Sequence, residues 1–294
     1  VNPAENGESY GRMAIARRVA GLRELVAGWK AAGARVGVVP TMGALHAGHM
    51  ALVEAARRDC DRVIATIFVN PKQFNRPDDL SSYPRDEASD AAKLAAAGVD
   101  VLFAPPVEEV YPEGFQTRVS VPGLSDCLCG LTRPGHMDGV ATVVAKLFLM
   151  TAADRAYFGE KDFQQLLVVR RMARDLDIPV EVVPVPTVRD ADGLALSSRN
   201  ALLTAEQRGK APVIYRTLRA MAERLAGGEA VESALAWGRG ELEESGIDKL
   251  DYLELRCGDT LEELPAVDRP ARLFVAGWMG PVRLIDNVAV PPAH

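Results

Sequence analysis

VVPTMGALHAGHMALVEAARR, residues 38–58, decides the fold. A β-branched run breaks at Pro40, and a helical pattern begins near His49. Strand, glycine-bearing loop and helix together make the opening unit of an open α/β sheet, where ligands bind outside the carboxyl ends of the strands. Gly43 and Gly48 let backbone come close to a ligand, and the start of the helix aims its amide N–H groups at the same space. Two of the chain's four histidines, His46 and His49, stand at this helix entry. Their rings either cap the helix and fill a gap, or donate hydrogen bonds to phosphate oxygens and carry charge as a phosphate departs. The paired glycines and the position after a strand favour the second reading.

Outward from this unit the same texture repeats. RVGVVPT (35–41), RVIATIFVN (62–70), VDVLFAP (99–105), RAYFG (155–159) and VEVVPV (180–185) are short, β-branched and largely unalternating, as strands buried on both faces are. Helical segments over 49–59, 86–97, 139–152 and 162–176 separate them. A further helix is expected from Ala14 to Ala32, where Ile15, Val19, Leu22, Leu25, Val26 and Trp29 recur at helical spacing before Gly33. The alternation predicts an α/β fold over residues 1–185: a doubly wound, Rossmann-like parallel sheet with helices on both sides. From 186 to 294 the alternation stops. Thr204 and Gln207 form a capping-box pattern opening a helix through Ala226, a second helix lies near 230–245, and strand-like runs follow at 251–257, 272–278 and 282–290. This is the signature of a smaller α+β domain, expected to cover the site.

Charge narrows the function. The net charge of −6 and pI near 5.4 argue against a general nucleic-acid or membrane-surface binder, which needs a basic field. A phosphate-bearing ligand must therefore meet a local cluster of cations. The four cysteines, Cys60, Cys127, Cys129 and Cys257, form no paired metal pattern and read as reduced thiols of a cytoplasmic protein. No apolar run approaches the ~20 residues of a spanning helix; VVAKLFLM at 143–150 is interrupted by Lys146. The opening VNPAENGESYGR lacks the order of a secretory signal and reads as a mobile tail, with Met13 a candidate start.

The loops after the other strands supply further polar groups. In IFVNPKQFN (67–75), Asn70 and Gln73 are amides placed to orient a polar ligand, or an ordinary Asn-Pro turn. In FGEKDFQQ (158–165), Gly159 ends a strand and Lys161 opens the next helix, where its ammonium would join the helix N-terminus against an anion. Glu160 and Asp162 suit a ribose hydroxyl or the helix start, and Gln165 shares a face with Asp162. In TVRDADGLALSSRN (187–200), Gly193, Ser197, Ser198 and Arg199 read as a flexible polar loop able to grip phosphates and close over them, or as an interdomain linker. In LTRPGHMDGV (131–140), Arg133 and His136 flank a Pro-Gly turn, with functional and structural readings equally open. His46, His49, Lys161 and Arg199 form a cation set expected at one sheet edge, suited to a nucleoside triphosphate. No Walker or dinucleotide glycine motif is present, so an adenylate-forming reaction fits best.

PTMGALHAGH, IFVNPKQF, RPGHMDGV, YFGEKDFQQL and DGLALSSRN, in this order and spacing from about residue 14 to 290, resemble the motifs of the pantothenate synthetases, or pantoate-β-alanine ligases. His46-Ala47-Gly48-His49 also resembles the HxGH-type signature of the wider nucleotidyltransferase superfamily. The resemblance implies a two-step reaction: pantoate's carboxylate attacks the α-phosphate of Mg-ATP to give pantoyl adenylate and pyrophosphate, then β-alanine displaces AMP. It implies that Met42, Gly43, Ala44, Leu45, His46, Ala47, Gly48 and His49 line the ATP site, with His49 as proton donor; on physical grounds His46 and Lys161 would matter most in the transition state. Gly159, Glu160, Lys161, Asp162, Val188, Leu196, Ser197, Ser198 and Arg199 would also contact ATP. Gln73 would hold pantoate near β-alanine, and Gln165 would bind pantoate. Val188 is the one position that side-chain chemistry does not suggest. Mg²⁺ would ride on the ATP phosphates, with Asp90 a candidate protein contributor, and the family implies a homodimer.

The chain departs from the family pattern at Met137, where an aromatic is usual, and in DCLCG before the RPGH motif; both bear on packing. Rival readings are a nucleotidyltransferase that stops after the first transfer, which gives Gln73 and Gln165 no task, and a catalytically silent nucleotide-binding protein, against which His49, Lys161 and Arg199 are all retained.

Overall fold

The computed structural model describes residues 9–75, 80–81 and 83–291. It divides into two compact units: one runs through Glu160 and resumes over Gln165–Pro186, and the other comprises Lys161–Gln164 and the chain from Thr187.

The first unit begins with β1 (Ser9–Tyr10) and β2 (Met13–Ala16), followed by α1 (Val19–Ala31), β3 (Val36–Val39), α2 (Ala47–Asp59), β4 (Arg62–Thr66), α3 (Glu87–Ala96) and β5 (Val101–Phe103). After a stretch with two single helical turns come α4 (His136–Thr151), β6 (Arg155–Gly159), α5 (Phe163–Asp175), whose first two residues belong to the second unit, and β7 (Glu181–Val185). The sheet order is β1-β2-β5-β4-β3-β6-β7. Every pairing is parallel except that of β1 with β2. All four residues of β3 are buried, as its unbroken apolar run requires of a central strand. One face packs Val39, Val63, Ala65, Leu102 and Tyr157 against Leu52, Val53 and Ala56 of α2. The next strand residue, Phe158, points the other way and meets Phe148 of α4 edge-on at 6.2 Å. Helices therefore cover both faces, the doubly wound arrangement.

The order places a topological switch between β3 and β6. From β3 the chain winds through β4 and β5 to one side, whereas β6 and β7 build the other, and β3 lies directly beside β6 through Gly37–Arg155 and Val38–Ala156. The connections leaving β3 and β6 run to opposite sides there, and in open α/β sheets such a switch point, at the carboxyl ends of the strands, is where ligands bind.

Two expectations are corrected at the N-terminus. The segment from Met13 to Ala16 is strand, where a helix was expected from Ala14: Ala14, Ile15 and Ala16 pair in parallel with Val101, Leu102 and Phe103, and Met13 is only 1% exposed. Unpaired groups at the edge of β5 outweigh the helical spacing that Ile15 happens to share with α1. Ser9 and Tyr10 fold back on Ala14 and Met13 around Gly11 at φ 61°. The remainder of the expected tail, residues 1–8, lies outside the described residues.

In the second unit, the antiparallel strands β8 (Lys249–Cys257), β9 (Ala271–Met279) and β10 (Val282–Val290) form a sheet in the order β10-β9-β8. Leu253, Leu255, Leu273, Val275 and Leu284 share a core with Leu218, Met221 and Leu225 of α6 (Val213–Ala226) and Leu242 of α7 (Val231–Glu244). The helix expected from Thr204 to Ala226 is two helices. A capping box of Thr204 and Gln207 opens Ala205–Lys210, but Pro212 lacks the N–H needed to continue it, so the chain restarts at Val213. Among the described residues, no helix is long and apolar enough to cross a membrane.

Candidate active site

The loop leaving β3 is held open by a buried carboxylate. Gly43 and Ala44 both take positive φ, 83° and 51°, which turns the Ala44 and Leu45 amides toward Asp90. Asp90, only 2% exposed, accepts from Ala44 N at 2.7 Å and Leu45 N at 2.9 Å. Lys93 completes the clasp, donating to Leu45 O at 2.9 Å. A Cβ on Gly43 would stand 3.1 Å from an Asp90 oxygen, so the glycine is needed for proximity as well as for φ. Among the described residues no group of three or more His, Cys, Asp or Glu side chains could hold a metal ion. Both Asp90 oxygens serve backbone amides, which makes it a loop-positioning group and a poor fit to the metal-contributor expectation.

Beyond the loop, His46 and His49 cap α2 reciprocally. Gly48 N donates to His46 Nδ1 at 3.1 Å, and His46 N donates to His49 Nδ1 at 3.3 Å. The ring centroids lie 4.1 Å apart. A ring nitrogen that accepts an N–H carries no proton, so the neutral tautomer of each ring bears its hydrogen on Nε2. Capping and phosphate binding, posed as alternatives from sequence, are thus compatible: the cap bonds occupy Nδ1, fix the ring orientation and put the hydrogen of each neutral ring on Nε2.

The loop leaving β4 forms a one-turn 3₁₀ helix, Pro71–Gln73. Asn70 and Gln73 are 1% and 9% exposed. Tyr111 donates to Asn70 Oδ1 at 2.8 Å, Asn70 Nδ2 donates to Gln73 Oε1 at 3.0 Å, and Gln73 Nε2 donates to Met42 Sδ at 3.0 Å. This relay fixes which way each amide points. Burial pushes the Tyr111 phenol above its ordinary pKa, so it stays a donor. The RPGH segment backs the same turn: His136 Nδ1 lies 2.8 Å from Gln73 O, and Arg133 donates to that oxygen at 3.5 Å. Gly139 is required here, because a Cβ would sit 2.2 Å from Lys72 O. Met137, the departure from the family pattern, is buried in α4 at 4% exposure.

At the end of β6, Gly159 leads into a 3₁₀ turn of Glu160, Lys161 and Asp162. The Lys161 side chain is 17% exposed and lies 3.7 Å from the Asp162 carboxylate. Gln165 follows in the first turn of α5, half-buried. Met42 to His49, Asn70 with Gln73, and Gly159, Glu160 and Gln165 thus sit after the carboxyl ends of three adjacent strands, β3, β4 and β6, in the first unit.

Lys161, Asp162, Val188 and Leu196 to Arg199 belong to the second unit. The segment read as a flexible loop is an anchored hairpin. Arg189 bridges to Ala195, Leu196 N donates to Val188 O at 3.0 Å, and Arg189 makes a two-pronged bond to buried Asp286 at 2.6 and 2.8 Å. The Arg189 guanidinium stacks 3.8 Å over Tyr215, and Gly193 turns at φ 95° where a Cβ would strike that ring. Ser197 Oγ accepts from Arg199 N at 3.2 Å, capping the turn that carries Ser198 and Arg199. Val188 enters the hairpin through its backbone carbonyl, a role that side-chain chemistry does not signal.

Residues 14–289 match the model of a family described as pantoate-beta-alanine ligase. The pantothenate synthetase of Cereibacter sphaeroides (strain ATCC 17029) is 59% identical over 276 residues, 94% of this chain and 99% of that protein. The pantothenate synthetase of Ruegeria pomeroyi is 56% identical over 276 residues, 94% of this chain and 97% of that protein. Among solved structures, pantothenate synthetase from Thermus thermophilus is similar with a TM-score of 0.89 and 54% identity, covering 95% of this chain and 100% of that one. Pantoate-beta-alanine ligase from Francisella tularensis, complexed with beta-gamma ATP and beta-alanine, gives a TM-score of 0.80 at 36% identity over 94% of this chain and 97% of that one. This chain belongs to the pantoate-β-alanine ligase family.

Proposed function

We propose that the chain carries out its family's ATP-dependent ligation of pantoate to β-alanine in two steps, through a pantoyl adenylate. A pantoate carboxylate oxygen bonds to the α-phosphorus as the bond to pyrophosphate breaks. The β-alanine amine then attacks the acyl carbon, AMP leaves with the bonding electron pair, and the amine loses a proton. The observation that carries the reading is the reciprocal cap of His46 and His49 beside the β3–β6 switch point. The cap bonds leave the hydrogen of each neutral ring on Nε2, and in this reading those N–H groups meet the charge that develops on phosphate oxygens in the first step. Lys161 adds a positive charge at the phosphates, and Ser197, Ser198 and Arg199 with the backbone at Val188 and Leu196 form the nucleotide contacts of the second unit. Gln73 and Gln165 hold pantoate; Gln73, oriented by Asn70 and Tyr111, lies near the amine. Mg²⁺ enters as part of the Mg-ATP substrate, carried on its phosphates.

Assay with Mg-ATP, D-pantoate and β-alanine should yield AMP and pantothenate, and pantoate should support pyrophosphate exchange without β-alanine. ADP as product, or nucleotide binding without turnover, would reject the two-step route and favour one of the rival readings. Tyr111→Phe keeps the ring but removes the hydroxyl. It should raise the pantoate KM by roughly fivefold, the worth of one hydrogen bond of about 1 kcal/mol, while the ATP KM stays constant. A wild-type pantoate KM would show that Asn70 needs no such hold. We further propose a homodimer, on the family resemblance, to be checked by light scattering against the 31.6 kDa chain, and a cytoplasmic setting, supported by four buried cysteines and to be checked by cell fractionation.

A further inference from the structure

We infer that Asn287, braced by Asp286, is a positioning residue for Lys161, and that it locks the lysine segment to the hairpin carrying Val188 and Leu196–Arg199. The inference rests on the proposed role of Lys161 at the ATP phosphates.

Strand β10 alternates buried and half-buried residues until Asp286, Asn287 and Val288, which are all buried. Successive side chains point to opposite faces. Asp286 shares its face with Leu284 and Val288, both members of the core formed with the helices, whereas Asn287 points to the other face. There Asn287 Nδ2 donates to Lys161 O at 2.8 Å, and Asn287 Oδ1 accepts from the Arg272 guanidinium. The same face fixes the next residues: the Arg272 guanidinium lies 3.8 Å over the Phe163 ring, and Phe163 packs on Phe274 at 6.1 Å. Asn287 N donates to Asp286 Oδ1 at 2.8 Å. That carboxylate holds Arg189, and Arg189 also donates to Gly193 O at 3.1 Å. A continuous chain of hydrogen bonds therefore runs from the Lys161 backbone to the hairpin.

An apolar residue at 287 would fill its place without the cost of burying an amide. An amide adds direction, because its donor and acceptor ends require different partners and so admit one arrangement. Lys161 thereby keeps a fixed register to Ser197, Ser198 and Arg199, and the cations of the two segments act as one body.

Asn287→Ala is compared with wild type for pantoate-dependent pyrophosphate exchange, for the KM values of ATP and β-alanine, and for melting temperature. A misplaced phosphate contact is costly, so kcat/KM for ATP should fall ~10-fold or more while the β-alanine KM holds. Asn287→Ser, which keeps a donor near Lys161 O, should recover part of the loss, and is the variant read should Asn287→Ala fail to fold. In a Lys161→Ala background the Asn287 substitution should cost little more, because its effect passes through the lysine. Wild-type kinetics for ATP in a folded Asn287 variant, or an equal further loss in the Lys161→Ala background, would overturn the positioning role alone. Absence of exchange in the wild type would instead remove the adenylation reading on which it stands.

Discussion

His49→Ala and Lys161→Ala should each lose at least ~10²-fold in pantoate-dependent pyrophosphate exchange, the usual cost of removing a donor aimed at developing charge. The two losses have different anatomy. His49 accepts the His46 N–H, so its truncation also removes a cap bond and should lower stability by about 1 kcal/mol. Asn in its place can accept the same N–H but has no imidazole. His49→Asn should therefore recover stability and not activity, which separates the chemical role from the cap. Lys161→Met keeps an apolar stem where the side chain is largely buried and removes the charge; it should melt like the wild type and still fail in exchange. Near-normal pyrophosphate release from the His49→Asn or Lys161→Met protein would sink the assignment of that residue.

The sequence carries those parts of the molecule whose cause is local. The unalternating run at 36–39 gives a strand buried on both faces, and the glycines and histidines after it give the site, because strand, turn and helix signals all lie within about twenty residues. The N-terminal strand is hidden for the opposite reason. Nothing within Met13–Ala16 distinguishes it from the start of α1; what decides is the edge of β5, far along the chain. The hairpin at 188–196 reads as flexible because its glycine and polar residues are loop-forming, while its anchor Asp286 lies 97 positions away. The same holds for Tyr111 on Asn70, 41 positions apart, and Asn287 on Lys161, 126 apart. Residues proposed to touch substrate are marked by chemical type; residues that orient them are marked only by their partner.

Asp90 illustrates this and carries the second large effect. A buried carboxylate near the proposed triphosphate site invites a metal role, but the geometry gives it another: it holds a loop that two consecutive positive φ angles would otherwise leave strained. Asp90→Asn is the informative change, since it preserves size. An amide offers one acceptor oxygen to two N–H donors and turns an NH₂ against the second. With hydrogen bonds to a charged group worth about 1.5–3 kcal/mol each, the variant should lose about 3 kcal/mol of stability. It should also lose ~10²-fold in kcat/KM for ATP, because Ala44 and Leu45 set the entry of the helix that bears His46 and His49. Magnesium titrations separate the roles. If Asp90 positions the loop, the melting temperature falls and the Mg²⁺ concentration for half-maximal exchange is unchanged, since in the proposed reaction that ion arrives with ATP. If the melting temperature holds and the Mg²⁺ requirement rises, the carboxylate contacts the metal, and the loop must owe its shape to Lys93 and the glycine instead.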